Sequence, residues 1–219
     1  MTRVKICGIR EEVHALAAVE AGADFIGLIF APSKRQVTPA QAEKIAAAVK
    51  QRGNATEVVG VFVNAPAPVI DKLADLCNLD RIQLSGDEPW EYCLEIARPL
   101  IKVIRVSHRQ SPQAICADLA AGAKAIATKK HIYLLDPHVK GKYGGTGVTF
   151  DWNLAQQAAK QFPVIIAGGL TPENVTQAIK MVRPWGVDVS SGVEVDGVKD
   201  IAKIGAFIEA ARRTDDNQR

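Results

Sequence analysis

The sequence predicts an α/β protein whose strands close into a single-domain (β/α)8 TIM barrel over residues 1–219. Three observations carry that prediction. Short apolar runs rich in valine and isoleucine alternate with stretches of helical apolar spacing about eight times. The 219 residues suffice for one such barrel, and no low-complexity linker divides them. Each apolar run also ends on polar, charged or glycine residues, which is where a parallel barrel exposes its functional groups. An open doubly wound sheet alternates strand and helix too, but no GxGxxG follows the first run, and about eight units exceed what an open sheet usually needs.

Residues 4–7 read as a short first strand broken by Gly8, and residues 10–21 then space Val13, Leu16, Ala17 and Val19 at helical intervals up to Gly22. Residues 24–30 are nearly all apolar, as a strand covered on both faces must be, and Thr38 caps a helix over residues 39–49. The alternation continues with strand 58–63, helix 66–77, strand 81–84, helix 89–97, strand 101–106 and helix 112–121. Residues 124–128 admit two readings, a strand of their own or packing ahead of the strand that ends through Tyr133, Leu134 and Leu135 at Asp136. Asp151 then stands as an N-cap before a helix beginning at Trp152. Strand 163–167, helix 171–181, strand 187–189 and helix 200–211 complete the set, with a frayed tail from residue 214.

The balance of 27 basic against 24 acidic residues gives +3, with the basic residues scattered, which excludes a nucleic-acid surface and suits a small anionic ligand. No apolar run reaches the roughly 18 residues of a membrane helix, and MTRVKICGIR lacks an export signal, so a soluble cytoplasmic protein is expected. Cys7, Cys77, Cys93 and Cys116 form no CxxC pair and no metal-like spacing with the four histidines, so reduced thiols and no metal are expected.

The strand ends then become the candidates. They hold Lys5 and Cys7, then Ser33, Lys34 and Arg35, then Asn64, then Gln83, Gly86 and Asp87, then Arg105, then Asp136. The seventh strand ends in Gly168 and Gly169, the eighth in Ser190, Ser191, Gly192 and Glu194. In this fold the loops after strands seven and eight commonly hold a phosphate on N–H donors, so Gly168, Gly169, Ser190, Ser191 and Gly192 are read together as a phosphate cup. The stretch YLLDPHVKGKYGGTGVTFDW at residues 133–152 sets an acid at a strand end before a loop with four glycines and two lysines, which suits chemistry on an anion.

These pieces resemble, in order and over nearly the whole chain, those of the phosphoribosylanthranilate isomerase family. KICGI stands at residues 5–9, FAPSKR at 30–35, GVFVN at 60–64, QLSGDE at 83–88 and LLD at 134–136; GGTGVTFDW follows at 144–152, IAGGLTPENV at 166–175 and DVSSGVE at 188–194. The resemblance implies an Amadori rearrangement of a phosphorylated sugar, needing no cofactor, in tryptophan biosynthesis, by a monomer or homodimer. It makes Asp136 the general acid, Cys7 the general base and Arg35 the holder of the substrate carboxylate. Ser85 departs from the family's usual histidine, and the segment before Asp136 is longer or differently packed. Both reacting groups begin in the wrong protonation state: a thiol near 8.5 is about 3% thiolate at pH 7, and protonating an ordinary aspartate there costs roughly 4 kcal/mol. Indoleglycerol phosphate synthases and pentose-phosphate epimerases are rival phosphate barrels, although His14, His108, His131 and His138 do not fall at strand ends as an epimerase's metal ligands would. A non-catalytic sugar-phosphate binding module is the rival from another class.

Overall fold

Eight parallel strands close in chain order in the computed structural model, which describes residues 1–53, 55–138 and 149–216. They are β1 (Arg3–Cys7), β2 (Phe25–Ile29), β3 (Glu57–Phe62), β4 (Arg81–Leu84), β5 (Leu100–Val106), β6 (His131–Pro137), β7 (Val164–Ile166) and β8 (Gly186–Val189). Around them run α1 (Glu12–Glu20), α2 (Pro39–Gln51), α3 (Ala67–Leu76), α4 (Pro112–Ala125), α5 (Asn153–Ala159), α6 (Val175–Val182) and α7 (Ile201–Asp216). Among the described residues no helix is long and apolar enough to cross a membrane.

Period-two alternation sorts the strand residues. Phe25, Val59, Ile101, Val103, Ile132, Leu134, Ile165 and Ala167 point inward and pack as the barrel's own core. Their neighbours Val4, Ile6, Ile26, Leu28 and Val58 point outward into the larger layer shared with the helices. Both faces are therefore apolar, which is why the runs read as near-continuous hydrophobic sequence. The barrel closes by β1 pairing with β8, in a register that sets Lys5 opposite Asp188.

The structure differs from the sequence expectation at several elements. The helix expected over 89–97 is a single 3-10 turn, Glu91–Leu94; its buried Cys93 and the buried Ile96 just beyond it are three apart, the 3-10 repeat rather than the α one. Residues 124–128 are packing and not a strand: α4 continues to Ala125, and the buried Ile126 closes it by donating its N–H to the Gly122 carbonyl. α6 begins at Val175, because residues 171–174 form a turn in which Asn174 accepts from the Thr171 N–H and donates to the Gly169 carbonyl. Asp151 is not the N-cap expected: α5 starts at Asn153 behind Trp152, which gives no side-chain cap, and Asp151 instead accepts from the Asn153 N–H at 3.0 Å in a turn leading into the helix. A hairpin of β9 (Glu194–Val195) and β10 (Val198–Lys199) was not anticipated, although its Asp196–Gly197 turn, with φ of 50° and 80°, is a strong hairpin signal. The glycine and lysine loop after Asp136 lies outside the described residues, as does the end of the tail.

Candidate active site

Lys5 and Cys7 are two apart on β1, so both project into the barrel mouth. The Lys5 side chain is wholly buried, and its Nζ donates to Asp188 Oδ1 at 2.8 Å. Room for the two comes from β2, where a Cβ on Gly27 would meet Cys7 Sγ at 2.8 Å and Lys5 Nζ at 3.0 Å. Burial pushes the Cys7 thiol up, and the Lys5 ammonium pulls against it without cancelling the rise. Burial opposes the Lys5 charge too, but Asp188 and Cys7 outweigh it and hold the ammonium well above its ordinary value.

Asp136 sits one position before the end of β6, opposite Arg105 on β5. An Arg105 Nη1–Asp136 Oδ2 ion pair joins them, and Arg105 Nη2 donates to the Ser85 carbonyl at 2.9 Å. Burial, opposed by Arg105 and reinforced by the Asp188 charge, raises the Asp136 carboxyl to about 6. Protonating it at pH 7 then costs about 1.4 kcal/mol instead of roughly 4. Ser85 takes part through its backbone carbonyl, which a residue of any type would offer, so the departure from histidine leaves the hold on Arg105 intact. Its hydroxyl accepts from Gln83 Nε2 at 3.0 Å, while Gln83 Oε1 is buried with no hydrogen-bond partner among the described residues.

Arg35 lies over Gly8, whose φ of +77° and lack of a side chain admit the arginine stem, since a Cβ there would stand 2.6 Å from Arg35 Cδ. Its guanidinium is engaged on one edge, with Nε 2.6 Å and Nη2 2.8 Å from the two Glu194 oxygens. The bidentate geometry expected for a ligand carboxylate is thus used within the protein, which leaves the Nη1–Nη2 edge of this cavity-lining arginine outside the Glu194 pairing. Glu194 also binds Lys199 Nζ at 2.8 Å, and the same ammonium donates to the Ser190 carbonyl at 2.8 Å. Burial works against the Glu194 charge, but Arg35 and Lys199 overcome it and bring the carboxyl down to about 2.

Gly168 and Gly169 both take positive φ, 88° and 60°, which turns the chain sharply after β7. Across from them Ser191–Val193 forms a 3-10 turn, whose first N–H groups have no partner within the turn, and Ser190, Ser191 and Gly192 line the cavity there. Gly192 packs against the neighbouring loop so closely that a Cβ would fall 1.8 Å from the Leu170 carbonyl oxygen. Gly192→Ala should therefore force the two loops apart, destabilising the fold by about 1–3 kcal/mol in denaturant unfolding and weakening phosphate-ester binding together.

One cavity of about 690 Å³ gathers these groups, lined by Cys7, Arg35, Asp136, Gly168, Gly169, Ser190, Ser191 and Gly192. The residues read from the sequence as acid, base, carboxylate holder and phosphate cup therefore reach one space, as do Ser33, Lys34, Gln83 and Arg105. The other strand-end candidates, Lys5, Asn64, Gly86, Asp87 and Glu194, are not among its lining residues. Sequence reasoning passed over Asp188 and Lys199; the signal for Asp188 was a carboxylate inside an apolar run, VDV, facing the lysine inside another, VKI. The cavity can hold an anion at the glycine and serine end, meet a carboxylate at Arg35, and present an acid and a thiol to whatever lies between.

Comparison with known proteins agrees with that arrangement. A family model described as N-(5'phosphoribosyl)anthranilate (PRA) isomerase matches residues 4–210. The N-(5'-phosphoribosyl)anthranilate isomerase of Dehalococcoides mccartyi is 46% identical over 218 residues, covering 100% of this chain and 99% of that protein. The one from Roseiflexus sp. (strain RS-1) is 51% identical, covering 97% and 98%. Among solved structures, the phosphoribosyl anthranilate isomerase of Thermotoga maritima superposes with a TM-score of 0.81 at 38% identity, covering 97% of this chain and 100% of that one. Another, solved in complex with reduced 1-(o-carboxyphenylamino)-1-deoxyribulose 5-phosphate, gives 0.78 at 37% identity, with the same coverage.

Proposed function

The chain belongs to the N-(5'-phosphoribosyl)anthranilate isomerase family, and on that premise we propose that Asp136 is its general acid and Cys7 its general base. The reaction is the Amadori rearrangement of N-(5-phosphoribosyl)anthranilate to 1-(2-carboxyphenylamino)-1-deoxyribulose 5-phosphate in L-tryptophan biosynthesis. Asp136 gives its proton to the ribose ring oxygen as the C1–O bond breaks, and the anilino nitrogen forms the C1=N Schiff base. The Cys7 thiolate then takes the C2 proton, and the electron pair left behind closes a C1=C2 enolamine. Protonation of C1 and loss of the C2 hydroxyl proton leave the ketone, with no co-reactant consumed. Gly168, Gly169, Ser190, Ser191 and Gly192 hold the phosphate, and Arg35 holds the anthranilate carboxylate.

The observation that carries this reading is a thiol on β1 and a carboxyl on β6 lining one cavity between an arginine and an N–H-rich cup. A non-catalytic module would keep the cup without an acid and a base around one ligand. The same reading takes residues 1–219 as one barrel domain acting in the cytoplasm, as a monomer or homodimer. Its test is the purified protein with freshly made phosphoribosylanthranilate: protein-dependent loss of the substrate's fluorescence is expected, and binding without that loss would return the chain to the binding-module class.

Arg35→Lys should raise KM about tenfold with a smaller change in kcat, because an ammonium lacks the planar fork that grips Glu194 by two parallel bonds and still offers a second edge to a ligand carboxylate. Arg35→Ala binding a product analogue as tightly as the parent would remove the carboxylate role.

A further inference from the structure

We propose that Lys5 is a positioning residue for the base, its ammonium held by Asp188 inside the barrel and presented to the Cys7 sulfur as the standing counter-charge of the thiolate. This rests on the assignment of Cys7 as base. The first argument is cost. A lysine with no exposed side-chain surface, at an inward position of the kind that Val, Ile and Leu fill on other strands of the barrel, carries a desolvation cost that its ion pair only partly returns. An apolar pair of similar volume would hold the barrel as well, so stability does not account for the charge.

Geometry supplies the second argument. The virtual Cβ of Gly27 lies 2.8 Å from Cys7 Sγ and 3.0 Å from Lys5 Nζ, so sulfur and ammonium flank the same spot. An ammonium has three N–H donors, and the contact to Asp188 Oδ1 uses one. The sulfur stands beside the same ammonium, whose charge favours its thiolate. The other charges that face Cys7 are Asp188 from β8, Lys199 from β10 and Arg35 from the loop after β2, while β2 itself contributes only Gly27. Arg35 and Lys199 are both bound to Glu194, whose carboxylate offsets their charge. Lys5, although paired with Asp188 itself, shares the Gly27 spot with the sulfur and is the charge that acts on it most strongly.

The same ion pair serves the acid. The Asp188 carboxylate disfavours ionisation of Asp136, and Lys5 opposes it less strongly. One buried pair therefore pushes toward thiolate on one side and toward carboxylic acid on the other, the separation that acid and base partners require.

The test is the pH profile of Cys7 alkylation by iodoacetamide, read by mass on the Cys7 peptide, which reports the thiolate without turnover. Lys5→Met combined with Asp188→Asn removes both charges and leaves no buried ion unpaired. Its alkylation inflection should rise by about one pH unit or more, and kcat at pH 7 should fall about tenfold, with KM within about twofold. Gly27→Ala is the second arm: it keeps both charges, adds a methyl 2.8 Å from the sulfur and 3.0 Å from the ammonium nitrogen that must displace one or both, and should move the inflection the same way. An unmoved inflection in either folded variant overturns the proposal. Should Cys7→Ser keep its turnover, the base assignment falls instead, and the alkylation profile still decides whether Lys5 governs the thiol.

Discussion

Asp136→Asn should lose about 10²- to 10⁴-fold in kcat while KM stays within a few-fold of the parent. The amide nearly conserves volume and can still accept from Arg105, which the Ser85 carbonyl also holds, so the cavity keeps its shape. What it lacks is a proton that it can give to the ribose ring oxygen. Opening that ring makes an alkoxide unless the oxygen is protonated as the bond breaks, so the loss should fall on turnover. Near-parental kcat in the variant would strip Asp136 of its role as acid and point to Arg105 or a bound water.

The same carboxyl sets a dependence of stability on pH. Its folded value of about 6 lies above the ordinary 3.8, so the folded state holds its proton more tightly than the unfolded chain does. The corresponding stabilisation is complete below about pH 4 and is lost as pH rises through about 6, amounting to about 3 kcal/mol by pH 7. Asp136→Asn has no such proton to lose. Unfolding free energies of parent and variant should therefore diverge between pH 4 and pH 7, the parent falling relative to the variant by that order. Parallel curves would show that the carboxyl titrates as an ordinary one.

What was legible in the sequence follows from how locally each feature is determined. Strand runs such as FIGLI and LIKVIRV are apolar on both faces because barrel core and helices cover them, and that reads directly from the residues. Site residues at strand ends were legible for the same reason, since closing the barrel brings every carboxyl end to one face. The ion pairs were not. Lys5 and Asp188 are separated by 183 positions and Arg35 and Glu194 by 159, and only the register of β1 on β8 and the loop beyond it join them. Local pattern also misled at residues 89–97, where apolar spacing of three fits a 3-10 turn as well as a helix. The departure at Ser85 put a ligand-side contact in doubt more than the reaction, and the bond to Arg105 beside Asp136 is indeed made by the Ser85 backbone rather than by its side chain.

Cys7→Ser should lose turnover on the same scale, about 10²- to 10⁴-fold, and the pH profiles of the two variants should identify which group each removed. In the parent the carboxyl titrates near 6 and burial holds the thiol above its ordinary value of 9.0. Acid and base are then both in their reactive forms in only a small fraction of molecules, and that fraction is constant between the two values. The parent's rate should rise up to about pH 6, run level, and fall only beyond the thiol's value. The acidic limb thus ends at the carboxyl's pKa even though the group being deprotonated for catalysis is the thiol. Removing either partner uncovers the other. Cys7→Ser should decline from about pH 6 upward, because only the protonated carboxyl still counts, and Asp136→Asn should climb continuously past pH 9, because only the thiolate does. A Cys7→Ser profile that kept the parent's level stretch would mean that another strand-end group takes the C2 proton, with the thiol serving only as packing at the mouth of the barrel.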